Sequence, residues 1–292
     1  MILYRTRVFT ILYMLSCPAS AVDSISSCTD KDGHKLFTDN ATDCSSPTAP
    51  YANIDNVTPI MNRENKYYID QIPDLPQIDA VDYFNNGKRF CAPISVANSL
   101  SWLEGRTDRS QQIALVKKLA SKDYMNTVGK NGTNAFRLIS GIKRHLADVR
   151  VIARRLEYRG WSKAPPNHSV GTRVDLQWMA DGIDTRSAVW INVGWYKFDN
   201  IRNRFVRNGG HWLTLVGYEF GEDKFLILHD SSTDTADAND RVLIRPLEMN
   251  KKLVNGKSYQ TPSSGFYYLD YCLRKPNQVD RVIIDGAVLL QI

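Results

Sequence analysis

Three residues of this chain have types and neighbours that suit nucleophilic catalysis by a thiol. Cys91 follows a loop rich in Asn and Gly and stands immediately before Ala92-Pro93, which is typical of the first turn of a helix. His211 follows Gly209-Gly210 at the head of an apolar strand, and Asp230 ends a second apolar run. A Cys, a His and an Asp, each at the edge of a regular element, predict a catalytic triad.

Each member of this set has a role that its chemistry allows. The positive end of a helix dipole lowers the pKa of a thiol, so Cys91 is the predicted nucleophile. His211 would pair with the thiolate and later protonate the leaving amine, while Asp230 would accept a hydrogen bond from the other ring nitrogen. The backbone N–H of Cys91 and a side-chain amide from the preceding loop would form the oxyanion hole.

Each residue also has a purely structural interpretation that the sequence leaves open. Cys91 could be a buried thiol or form a disulfide with Cys272. His211 could simply bind a backbone carbonyl, and Asp230 could cap a turn. His229 is expected on the opposite face of its strand from Asp230. No His or Cys spacing resembles a zinc site, so we expect neither a metal nor a cofactor.

Hydrophobic spacing predicts the elements that hold these residues. Helical periodicity runs from Cys91 to about Glu104 and returns at 110–121, 133–146 and 174–180. Strands are predicted at 149–158, 187–196, around His211 and Asp230, and near 242–244, 266–269 and 282–284. Because helices come first and strands follow, we predict an α+β domain with helices packed on a mainly antiparallel sheet. The Arg-rich stretch 195–210 is expected to be a loop before His211.

Length and composition divide the chain into four parts. With 292 residues it can hold one sizeable core and a small appendage. A stretch rich in Pro, Asn and Asp indicates an extended linker before the main domain. We predict a signal peptide at 1–21, a small Cys-containing hairpin module at 22–48, a Pro-rich linker at 49–81 and the catalytic domain at 82–292.

The opening segment has the features of an export signal. Arg5 and Arg7 precede a short apolar run, and Ala19-Ser20-Ala21 is a small-residue cleavage site; lipid attachment at Cys17 is the alternative. Cleavage removes two Arg and no acid, so the formal charge falls from +6 to +4. The interspersed charges predict no nucleic-acid partner. We therefore expect a secreted, periplasmic or envelope protein without stable membrane insertion after signal cleavage.

The module at 22–48 contains two of the remaining cysteines. A disulfide between Cys28 and Cys44 would close a short polar loop and could contribute ~3 kcal/mol. Between them, Asp32-Gly33 predicts the turn of a hairpin. The pattern of Cys, turn, Phe-Thr-Asp strand and second Cys resembles a short module that follows the signal peptide in many bacterial envelope proteins.

Three motifs carry a resemblance to a known family. They are Cys91-Ala92-Pro93-Ile94-Ser95-Val96-Ala97-Asn98, Gly210-His211-Trp212-Leu213-Thr214-Leu215-Val216-Gly217-Tyr218 and Leu228-His229-Asp230-Ser231. In this order they resemble the papain-like cysteine peptidases of family thirty-nine, the bacteriocin-processing or double-glycine peptidases, over about 82–232. The resemblance implies a papain-like fold, a Cys91–His211–Asp230 triad and an oxyanion-hole amide six residues before the Cys. That position is Asn85 here, where the family has Gln.

Three functional hypotheses follow from these residues. The first is a secreted cysteine peptidase that hydrolyses a peptide or protein substrate through a Cys91 thioester. The second is an amidase or transglutaminase-like acyl transferase, since the chemistry up to the thioester is shared. The third is an inactive papain-like module that binds peptides, which the shorter Asn85 side chain would favour.

Overall fold

The protein is a mixed α+β structure, which agrees with the predicted class. The computed structural model describes residues 26–29, 35–38, 65–77, 89–127, 132–231, 240–256, 259–270 and 279–292. The helices are α1 (Cys91–Leu103), α2 (Arg109–Ala120), α3 (Ala135–Asp148) and α4 (Leu176–Asp181). The strands are β1 (Ser26–Thr29), β2 (Lys35–Thr38), β3 (Lys66–Tyr68), β4 (Arg155–Gly160), β5 (Ser169–Gly171), β6 (Ser187–Asp199), β7 (Arg204–Phe220), β8 (Lys224–His229), β9 (Asp240–Pro246), β10 (Lys252–Asn255), β11 (Tyr259–Pro262), β12 (Tyr267–Asp270) and β13 (Arg281–Gln291).

Three of the helices begin at a side chain that caps them. Asp108, Asn134 and Asp175 each accept a hydrogen bond from the backbone N–H three residues later. Such caps satisfy N–H groups that have no partner within the helix, typically for about 1 kcal/mol each. Helix α1 differs, because Phe90 precedes it and supplies no side-chain cap. Among the first N–H groups of α1, that of Ala92 contributes a hydrogen bond to the Cys91 thiol.

Six antiparallel strands close into a barrel. Strands β7, β8, β9, β12 and β13 pair in that order, and β6 pairs with both β13 and β7. Every pairing around this ring is antiparallel. Closure satisfies both edges of β6 and β7, the two strands that run past the candidate site.

The two faces of the barrel strands belong to different cores. Alternate residues of β6, such as Val189, Ile191 and Val193, share one buried cluster with inward residues of the other barrel strands. The intervening Trp190, together with Trp212 of β7, packs instead against α1, α2 and α3 in a second cluster. The barrel interior is thus one apolar core, and the helices cover part of the barrel's outer face.

Several predicted boundaries change in the structure. Residues 195–210 are not a loop, because β6 and β7 extend through them as a long hairpin that turns only at 200–203. The strand predicted at 149–158 begins only at Arg155, because Arg150 takes a positive φ of 58° where α3 ends. Helix α3 itself ends at Asp148 rather than at Leu146.

Part of the segment assigned to the linker packs on the main domain. Strand β3 pairs with β7, and Ile72 and Leu75 of the following segment are buried. The N–H of Leu75 donates to Asn98 Oδ1 at 3.2 Å, and the N–H of Gln77 donates to the Ser231 carbonyl. These contacts tie residues 65–77 to α1 and to the end of β8.

Other sequence predictions fall wholly or partly outside the described residues. Strands β1 and β2 pair antiparallel, as the predicted hairpin requires, but the turn between them is outside the described part. The signal peptide at 1–21 also lies outside it. The same is true of Cys44, the predicted partner of Cys28, and of Cys272, the alternative partner of Cys91. Asn85 also lies outside it.

Candidate active site

Cys91 is the first residue of α1 and carries a free thiol. As a residue, Cys91 is partly exposed, although it packs against the core formed by the helices. Pro93 has no N–H, which leaves the N–H groups of Cys91 and Ala92 as the donors at the very start of the helix. The position therefore combines partial exposure with the positive end of a 13-residue helix.

One turn of α1 is fastened to the strand that carries His211. Ser95, one turn after Cys91, donates from Oγ to the Trp212 carbonyl at 2.9 Å. The Ser95 carbonyl accepts from Trp190 Nε1 at 2.9 Å and from Thr214 Oγ1 at 3.0 Å. All of these groups are buried. These hydrogen bonds fix the position of the start of α1 along β7, and hence the position of Cys91 relative to His211.

His211 and Asp230 meet at one end of the barrel. On adjacent strands Thr214 faces His229, so Asp230, just after β8, lies diagonally across from His211. His211 Nε2 and Asp230 Oδ1 are 2.7 Å apart, and the two side chains are almost completely buried. Because Nε2 binds the carboxylate, Nδ1 is the ring nitrogen left for Cys91.

The charges of the three groups support one another. Burial raises the pKa of the Cys91 thiol, but the hydrogen bond and the charge of His211, with backbone hydrogen bonds from Trp212 and Ala92, bring it below the ordinary value. Burial lowers the pKa of His211, while hydrogen bonds to Asp230 and Cys91 and their negative charges raise it to about 10. Both shifts favour a thiolate–imidazolium pair at neutral pH.

Trp195 covers one side of the imidazole. Its ring lies nearly parallel to His211, with an interplanar angle of 13° and centroids 6.2 Å apart. Gly209 makes room for it, since a Cβ on Gly209 would lie 2.8 Å from a carbon of the Trp195 ring. The indole is partly buried and limits access of water to the His211–Asp230 bond.

The structure brings three of the four predicted site residues together. Cys91, His211 and Asp230 form one connected set, whereas the amide predicted to complete the oxyanion hole, Asn85, lies outside the described residues. Cys91 is not in a disulfide, which removes the predicted alternative of pairing with Cys272. His229 points away from the set, as expected, and its Nδ1 lies 3.3 Å from the Pro73 carbonyl.

Sequence reasoning missed Ser95 as a member of the site, and it placed Trp195 on a possible pocket rim without predicting its contact with His211. A signal for Ser95 was present, because a small polar residue one turn after the nucleophile lies on the same helix face. Trp195 gave no comparable signal. Its position beside His211 depends on the pairing of Trp195 with Gly209 across β6 and β7.

Comparisons of the whole chain with known proteins add no family. No protein-family model matches it, and no curated protein matches it in sequence. Within the described ranges, no group of three or more His, Cys, Asp or Glu side chains is arranged to hold a metal ion. None of the helices in those ranges has the length and apolar character needed to cross a membrane.

Proposed function

We propose that the protein is a papain-like cysteine hydrolase that cleaves a peptide bond. The observation that carries the proposal is the connected set of three groups, in which a helix-start thiol, a buried imidazole and a buried carboxylate share one ion-pair system. A helix layer fastened to a closed antiparallel barrel supports the papain-like assignment, because the thiol and the imidazole come from these two parts.

The proposed reaction passes through a thioester. The Cys91 thiolate attacks the substrate carbonyl carbon, and the carbonyl oxygen becomes an oxyanion near the N–H of Cys91. The His211 imidazolium gives its proton to the leaving nitrogen, the C–N bond breaks and the amine departs. Neutral His211 then takes a proton from water, whose hydroxide attacks the thioester. The acid product leaves and the thiolate–imidazolium pair is restored.

A thiol-directed probe tests this proposal. We expect an epoxide peptide probe to label the mature protein at neutral pH, and Cys91→Ala to abolish both the labelling and the cleavage of a peptide library. Cys272→Ala, which removes a thiol that the mechanism does not use, is the matched control and should keep both. Labelling followed by amine incorporation instead of hydrolysis would reassign the protein as an acyl transferase. Absence of labelling under reducing conditions would identify a peptide-binding module.

A further inference from the structure

A second polar network lies against the peptide unit that joins His211 to Trp212. Asp285 of β13 accepts from Arg207 Nε at 2.7 Å and from the Tyr196 hydroxyl at 3.1 Å. Arg207 Nη2 donates to Asn192 Oδ1 at 3.2 Å. Asn192 Nδ2 donates to the His211 carbonyl at 3.1 Å. Strands β6, β7 and β13 thus contribute to one chain of hydrogen bonds, which ends at the His211 carbonyl in β7.

The orientation of the Asn192 amide follows from its partners. A guanidinium has only donors, so the oxygen of the Asn192 side chain must face Arg207. The His211 carbonyl can only accept, so the amide nitrogen must face it. Arg207 is in turn fixed by Asp285, whose side chain is fully buried. Asn192 therefore has one orientation and donates one hydrogen bond to His211.

Two glycines make room for this network. Gly194 and Gly210 are opposite each other on β6 and β7. A Cβ on Gly210 would lie 2.1 Å from Arg207 Nη2, and one on Gly194 would lie 2.4 Å from Asp285 Oδ2. The Arg207 side chain can pass over the backbone beside His211 only because both residues lack a side chain. The packing of Arg207 therefore requires glycine at position 210, directly before His211, and the sequence motif alone does not reveal this requirement.

The far side of the same peptide unit faces the nucleophile. In a strand the N–H and the carbonyl of one residue point to the same side, so the Trp212 N–H faces α1 together with the Trp212 carbonyl. In agreement with this geometry, Trp212 lowers the pKa of Cys91 through a backbone hydrogen bond, against the opposing effect of burial. The adjacent Trp212 carbonyl accepts from Ser95, on the same helix. The N–H and carbonyl of Trp212 therefore both face α1, while the preceding carbonyl of His211 faces Asn192. One planar peptide links Asn192 to Cys91.

We propose that Asn192, held by Arg207 and Asp285, is a positioning residue for the proposed reaction and acts on Cys91 through the His211–Trp212 peptide. A hydrogen bond to a peptide carbonyl polarises the N–H of the same unit, so the Asn192 bond strengthens the one that Trp212 donates to the sulfur. It also fixes the plane from which His211 projects. This inference assumes the proposed role of Cys91 as nucleophile.

The charged and titratable groups near this unit come from several elements. His211 and Asp230 flank it on one side, Arg207 and Asp285 on the other. Among the described residues, the hydroxyls of Tyr196, which donates to Asp285, and of Tyr158 also interact with these charges. Arg89 is two residues before Cys91 in the chain. A neutral substitution at Asn192 leaves all of these charges in place, so its effect on the thiol reports the hydrogen bond.

The rate of Cys91 alkylation by iodoacetamide as a function of pH tests the proposal. We expect Asn192→Leu to raise the thiol pKa by about 0.5–1 unit, which slows alkylation about 3–10-fold on the acid side. Asn192→Gln, which retains an amide donor, should recover part of this loss. Asn200→Leu, at the exposed turn between β6 and β7, is the matched control and should behave as the wild type.

The outcomes separate this proposal from the proposed function. If Asn192→Leu yields no folded protein, Asn192→Ser removes the same bond without adding apolar bulk and carries the test. A wild-type thiol pKa in a folded Asn192→Leu or Asn192→Ser protein would overturn the positioning role. Alkylation needs no substrate, so a protein that cleaves no peptide still gives a decisive answer about Asn192.

Discussion

Two buried carboxylates flank the His211–Trp212 region, and they differ in the cation that each one holds. Asp230 binds the imidazole of His211, whereas Asp285 binds the guanidinium of Arg207. Both distances are 2.7 Å, and both carboxylates are buried. An imidazole can give up its proton in a reaction such as the one proposed, whereas a guanidinium stays protonated.

The two ion pairs therefore differ in role: the Asp230–His211 pair contains a group that can transfer a proton, whereas the Asp285–Arg207 pair maintains the local structure. Asp230 raises the pKa of His211, the group that gains and releases a proton in the proposed reaction. Asp285 holds the permanently charged Arg207 beside the same strand. Arg207 donates a hydrogen bond to Asn192, and Asn192 donates one to the His211 carbonyl. We therefore expect substitution of Asp230 mainly to lower the reaction rate, and substitution of Asp285 mainly to lower the free energy of unfolding.

The largest expected effect is on the Asp230 side. Asp230→Asn keeps the shape of the side chain but removes the charge and lets His211 adopt the wrong tautomer, so we expect kcat/KM to fall about 10³–10⁴-fold. Cleavage of a peptide selected from the library measures it. Asp223→Asn is the matched control, because Asp223 lies in the turn at the opposite end of β7 and β8. A loss below tenfold would mean that Asp230 does not orient His211.

The next effect is on stability and concerns the Asp285 side. Asp285→Asn leaves the Arg207 charge without its anionic partner, and breaking a buried pair in this way costs about 3–5 kcal/mol. Urea unfolding should show this loss. The double variant Arg207→Met with Asp285→Leu should recover most of it, because no unpaired charge remains. If the two variants are equally destabilised, the pair is not the source of the loss.

The smallest effect is a difference in pH dependence between the two sides. The folded-state pKa of His211, about 10, lies above its unfolded value of 6.5. Its contribution to stability is therefore complete below pH 6.5 and is lost as the pH rises through about 10. The lowered pKa of Cys91 adds stability as the pH rises over the same range, so the net loss is smaller than the shift of His211 alone would give, roughly 1–2 kcal/mol. Urea unfolding at pH 6.5 and pH 10 measures this change. His211→Gln should remove most of it, and the same change in stability in the wild type and in His211→Gln would contradict the ion pair.

Sequence reasoning succeeded where the relevant information is local. The start of α1 at Cys91 follows from Ala92-Pro93, and the position of Asp230 directly after β8 follows from an apolar run next to a polar residue. His211, predicted at the head of a strand, lies instead within β7, because this strand already begins at Arg204. Three side chains far apart in the chain were therefore assigned to one set that the structure connects.

Sequence reasoning failed where the information is in strand register. Asn192, Arg207 and Asp285 come from three strands, and they meet because β13 and β7 both pair with β6. Irregular pairings next to Arg207 and at Asp285 further change which side chains share a face. The many arginines of 195–210 suggested a solvated loop, although Arg207 is largely buried with Asp285. No local pattern encodes these contacts.

Barrel closure by β13 has a consequence for the timing of synthesis. The three site residues, Cys91, His211 and Asp230, all leave the ribosome before β13. Asp285 lies in β13, which is also the second strand that pairs with β6. A nascent chain that has exposed the whole triad therefore still lacks the strand that closes the barrel and anchors Arg207. We therefore expect the three site residues to become fixed relative to one another only after β13 has been made and has paired with β6.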